Sequence, residues 1–119
     1  MIIVANIFVG LVALLHLCFL VLEMFLWDKP IGLKTFGQSK EQARATKVLA
    51  ANQGLYNGFI AAGLFWGVVQ GNSGTDFKIF FLLCVIIAGV FGALTANRKI
   101  LFIQSVPGLL GLILILLSR

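Results

Sequence analysis

Apolar residues do not alternate with polar ones along this chain. They gather in four long blocks, residues 2–27, 46–70, 77–96 and 100–117. Each block holds about 18–26 residues, enough for a helix to cross about 30 Å of hydrocarbon at 1.5 Å per residue. The breaks are polar and short. "DKPIGLKTFGQSKEQAR" carries Pro30, two glycines and much of the charge, "GNSGTD" reads as a turn, and "NRK" is a tight connection. The pattern predicts an all-α protein. Its expected architecture is a four-transmembrane-helix bundle forming one domain over residues 1–119.

Composition supports that reading. Of 119 residues, 61% are hydrophobic and 11% charged, and a soluble chain this short has too little interior to hide so much apolar surface. The net charge of +5 does not indicate nucleic acid, because the basic residues sit at the ends of apolar blocks. Lys29, Lys34, Lys40, Arg44, Lys47, Arg98 and Lys99 fall in or beside loops 28–45 and 97–99, against Lys78 and Arg119 on the opposite side. The positive-inside rule makes those loops cytoplasmic and both termini extracytoplasmic. The first block lacks a basic leader and a small-residue cleavage site, so it reads as a retained helix. Cys18 and Cys84 lie in apolar blocks without metal-ligand spacing and are expected to be buried, inert thiols.

Against this background the polar residues inside the blocks stand out. His16 and Glu23 follow a three-and-four spacing along the first helix and point the same way. In the second block, "ANQGLYNGF" packs Asn52, Gln53, Tyr56 and Asn57 into six positions. Glu23 lies about 6 Å, and Asn52 and Gln53 about 10 Å, inside the cytoplasmic boundary. Gln104 enters the fourth block at similar depth, just before Pro107. The outer half reads as almost pure hydrocarbon. A charged carboxylate in hydrocarbon is costly unless compensated. The expectation is therefore a hydrated pocket opening to the cytoplasm, with Glu23 its reactive group. Asn52, Gln53, Tyr56, Asn57 and Gln104 would supply donors and acceptors, with His16 as the floor. Gly54, Gly58, Gly63 and Gly67 are expected to let helices approach closely. The plain alternative for Glu23 is an ion pair with Lys47, whose long stem can span the difference in depth.

The segments "HLCFLVLEMFLW", "KVLAANQGLYNGFIAAGLFWG" and "NRKILFIQSVPGLLGL" resemble the small integral membrane proteins of the domain of unknown function 1304 family. The likeness covers nearly the whole chain. His16 and Glu23 match its HL…LEMF first helix, and Asn52, Gln53, Gly54, Tyr56, Asn57 and Gly58 its ANQG-Y-N-G second helix. The resemblance implies a four-helix, multi-pass protein of a bacterial-type inner membrane, with no activity assigned and no cofactor indicated.

Three functions fit these residues. The first is binding or transport of a small polar or cationic solute, with Glu23 coupling to protons or ligand. Four helices enclose little, so that function implies a homodimer, and the charge bias makes it parallel. The second is a membrane enzyme acting on a lipid or quinone-like substrate, although no catalytic nucleophile set and no metal set is present. The third is a structural or accessory subunit whose amides hold helices together.

Overall fold

A computed structural model describes all residues 1–119, and every regular element in it is helical. Helix α1 spans Ile2–Met24, α2 Pro30–Phe36 and α3 Lys40–Val69. A 3₁₀ turn at Gly71–Gly74 leads into α4, Thr75–Thr95, and a π-helical segment at Leu101–Ser105 leads into α5, Val106–Leu117. Two stretches, Ile2–Met24 and Gly71–Thr95, are long and apolar enough to cross a membrane, and Leu101–Leu117 is a shorter apolar run.

The boundaries differ from the sequence reading in one informative place. Residues 28–45, expected as a loop, contain α2 and the start of α3. Pro30 occupies the first turn of α2, where its missing N–H costs nothing, and Gly37 closes the helix at φ 63°. Helix α3 then begins six residues earlier than expected, on a capping box. Gln42 N–H donates to Ser39 Oγ at 3.1 Å, and Ser39 N–H donates to Gln42 Oε1 at 3.0 Å. Helix α1 stops at Met24 rather than running to Trp27. The chain turns there so that the Leu26 and Trp27 carbonyls press on Gly32, where an added Cβ would lie 1.9 and 2.7 Å from those oxygens.

The chain divides into two compact units. One comprises Met1–Ala13 and Ile60–Arg119, the other Leu14–Phe59. The core of the first holds Val9 and Val12 of α1, Leu64 of α3, Leu82 and Val85 of α4, and Ile115 of α5. Its α4 and α5 meet through glycines: a Cβ on Gly108 would lie 3.0 Å from Val85 Cγ1, and one on Gly111 3.2 Å from Leu82 Cδ2. In the first turn of α5, Pro107 has no N–H to give and its ring crowds the preceding turn. The turn is widened accordingly, Val106 N–H donating to the carbonyl of Leu101, five residues back. Gly89 admits this swollen turn, since a Cβ there would fall 2.2 Å from Ser105 Oγ. Ser105 Oγ donates to the Ile86 carbonyl at 2.8 Å.

In the second unit α3 packs through small residues, with Ala43, Ala50 and Gly54 buried. Cys18, expected to be buried, is exposed, and Cys84 is half-buried.

Candidate functional site

Glu23 sits one residue before the end of α1, half-buried. What lets α3 come close enough to meet it is a pair of absent side chains. A Cβ on Gly54 would lie 2.6 Å from Met24 Cγ, 3.1 Å from Glu23 Cβ and 3.2 Å from the Leu20 carbonyl. One on Gly58 would lie 2.6 Å from Leu20 Cδ1. With the helices this near, Asn57 reaches across, and its Nδ2 donates to Glu23 Oε1 at 2.5 Å. A hydrogen bond to a charged acceptor is among the stronger kinds.

The Glu23–Lys47 ion pair, the plain alternative for Glu23, does not form. Lys47 Nζ lies 3.0 Å from Asp28 Oδ2, because the turn after α1 carries Asp28 to the N-terminal turns of α3. Lys47 is therefore paired in an exposed position. The neighbouring ammonium holds the Asp28 carboxyl below the usual carboxylate range. Trp27 Nε1 donates to Thr46 Oγ1 at 3.2 Å beside this pair, so that edge of the unit is a polar clasp joining the end of α1 to the start of the α3 apolar run.

The remaining expected pocket residues are distributed otherwise. Asn52, Gln53 and Tyr56 are exposed, and Asn52 Nδ2 folds back on the Val48 carbonyl of its own helix at 2.9 Å. The reason is geometric. The side of α3 that packs holds alanine and glycine, because only small residues permit close approach. The amide-bearing side is turned away. His16 is fully buried, with its ring edge-on to Phe19 at 5.5 Å. Gln104 belongs to the other unit, half-buried within the π-helical segment.

That other unit contains a polar group that sequence reasoning placed wrongly. Lys78 was expected at the aqueous flank of its helix, yet it is 1% exposed. Its Nζ donates to Asn6 Oδ1 of α1 at 2.9 Å. Gly67 provides room for its stem, since a Cβ there would lie 2.7 Å from Lys78 Cγ. The start of α4 is thus not purely apolar in its surroundings. The same unit has a cleft of about 550 Å³ bordered by Asn72, Ser73, Thr75, Asp76, Ser118 and Arg119. Asn6, four residues inside an apolar block, was the one available signal for a partner.

The arrangement at Glu23 offers one carboxylate oxygen bound to a neutral amide and a second oxygen for a further donor. That suits a proton or a cation. Comparison with known proteins bears on the family. The family model described as protein of unknown function DUF1304 matches residues 10–116. An uncharacterized protein, YpaA of Lactococcus lactis, is 31% identical over 105 residues, covering 87% of this chain and 88% of its own. No solved structure matches. With nearly the whole chain matched, through both the Glu23 and the Asn57 segments, the protein belongs to the DUF1304 family of proteins of unknown function.

Proposed function

We propose that this is a four-span protein of a bacterial-type cell membrane, with both termini outside, that binds or carries a small polar or cationic solute at Glu23. Helix α3, at 30 residues, is about 45 Å long, longer than the hydrocarbon is thick. Its first turns, bearing Lys40, Arg44 and Lys47, would project into the cytoplasm beside Asp28. The remaining turns would cross with α1, α4 and the Leu101–Leu117 run.

The observation that carries the solute reading is the pairing pattern of the acids. Lys47 is engaged by Asp28, and Glu23 has a carboxamide where the ion-pair alternative would have placed Lys47. A carboxylate in a low-dielectric setting needs a counter-charge. A proton or the cationic group of a solute supplies it, and Asn57 fixes the direction in which the second oxygen points. The site so proposed is smaller than the sequence suggested. It consists of Glu23 and Asn57 backed by Gly54 and Gly58, with His16 a buried polar neighbour along the same helix.

The same hydrogen bond also favours a structural reading, in which Asn57 and Glu23 simply clamp α1 to α3. Titration of organic cations, from methylammonium to tetraethylammonium, into the detergent-purified protein separates the two. The solute reading expects binding that weakens at least about tenfold in Glu23→Gln, whose neutral carboxamide keeps the shape but not the charge. Equal binding by both proteins, or none by wild type, would leave only the clamp.

A further inference from the structure

The outward side of α3 has an order that the packing of this chain does not use. Gln42, Ala45, Leu49, Asn52, Tyr56 and Phe59 are all exposed, and Leu49, Tyr56 and Phe59 by 69%, 51% and 57%. Their steps of three, four, three, four and three residues are those that keep one seam of a helix facing a partner helix over several turns. The buried residues Ala43, Ala50 and Gly54 lie on the opposite side.

Lipid suits only part of this seam. Leu49 and Phe59 can sit against acyl chains. Asn52 cannot do so without loss: one N–H reaches the Val48 carbonyl, leaving its own oxygen and second N–H without a partner within the chain. Gln53, at the seam's edge, makes no side-chain hydrogen bond within the chain. On the membrane reading above, on which this inference rests, Asn52 lies about 7.5 Å deeper than Lys47, where hydrocarbon offers nothing to bond.

We propose that this seam is a self-association surface, two copies pairing as parallel α3 helices with Asn52 facing Asn52 across the two-fold axis. The basic loops insert every copy the same way, so residues at one depth meet their own counterparts. Only groups that both donate and accept can bond to themselves. Asn52, Gln42, Gln53 and the Tyr56 hydroxyl all do so. The seam positions themselves carry no charge; Glu41 flanks the seam at its first turn, and Lys47, on the opposite side of α3, is held by Asp28 at 3.0 Å. A polar core residue in such a seam fixes register, and the heptad spacing sets a left-handed crossing of about 20°.

Cysteine cross-linking in native membranes tests this. Cys18→Ala and Cys84→Ala remove the native thiols. Single cysteines then replace Leu49, Asn52 and Phe59 on the seam, or Arg44 and Ala51 off it. The expected result is an oxidised homodimer at the seam positions, at least tenfold more abundant than at the other two. In detergent, Asn52→Leu is expected to raise the dimer dissociation constant about three- to thirtyfold, and Asn52→Gln to restore much of it. Cross-linking that is absent, equal on all faces, or directed to a protein of different mass overturns the proposal. Alkaline carbonate extraction of the same membranes separates the two readings. A chain that stays in the bilayer without cross-linking overturns the seam alone, and one that washes out overturns the membrane reading with it.

Discussion

Two ionisable side chains in this molecule are each held by an asparagine, and the asparagines play opposite parts. In the Leu14–Phe59 unit, Asn57 donates to the carboxylate of Glu23. In the other unit, Asn6 accepts from the ammonium of Lys78. A carboxamide can serve either sign because it carries both a donor and an acceptor. The settings differ more than the partners. Lys78 is sealed in a core beside Gly67, whereas Glu23 is half-buried near the end of its helix. A sealed group can only hold structure, and a half-open one can exchange its partner. That contrast is why a function is proposed at Glu23 rather than at Lys78.

The contrast breaks first at Lys78. Removing its sole acceptor with Asn6→Leu leaves a buried cation unbonded, and a loss of about 1–3 kcal/mol is expected in denaturant unfolding of the detergent-solubilised protein. The double variant Asn6→Leu with Lys78→Met is expected to recover most of that, since deleting both partners removes the uncompensated group. No recovery would mean that Lys78 serves something other than Asn6.

Next come the glycines that bring α3 to Glu23. Gly54→Ala is expected to cost about 1–3 kcal/mol, because the new methyl meets the Leu20 backbone as well as Met24. Gly58→Ala meets only the movable end of Leu20 and should cost less than half as much in the same unfolding assay. A reversed order would contradict the packing described around Glu23. Smaller again is Asn57→Leu, expected at about 1 kcal/mol, because the half-buried carboxylate can turn toward water. A cost above that of Asn6→Leu would undo the comparison between the two sites.

The smallest effect belongs to the exposed Lys47–Asp28 pair. The Asp28 carboxyl titrates below its ordinary value of roughly 3.9. Its contribution is therefore fully present above that pH and lost as pH falls through the lower folded value. The melting-temperature difference between wild type and Asp28→Asn should stay flat above pH 5. It should close only in stronger acid and shrink in high salt. A difference already gone by pH 5 would contradict the pairing.

How much of this was legible beforehand follows from which signals are local. The four apolar blocks matched helical stretches because composition over twenty residues is a robust cue. Glu23, Asn57, Gly54 and Gly58 stood out as polar or small residues in oily surroundings. The S-x-x-Q capping box at Ser39–Gln42 and the Pro30 start of α2 were also written in the chain, but charge and glycine content masked them as loop. What could not be read was direction. The helical wheel separates the amide face of α3 from its glycine face without saying which one packs, and backbone closeness favoured the glycines. Nor could position alone show that Lys78 folds inward, since its pairing with Asn6 spans 72 residues.

The central claim is that Glu23 carries an exchangeable counter-charge, and its carboxyl can be watched directly. The chain has two glutamates, Glu23 and Glu41. Glu41→Gln combined with carboxyl-¹³C glutamate labelling therefore leaves Glu23 as the one labelled side chain. Nuclear magnetic resonance of this protein in lipid nanodiscs, with organic cation added stepwise, should show the Glu23 carboxyl resonance move and saturate with the binding isotherm. A resonance that stays fixed while cation binds elsewhere, or while none binds, would contradict the account.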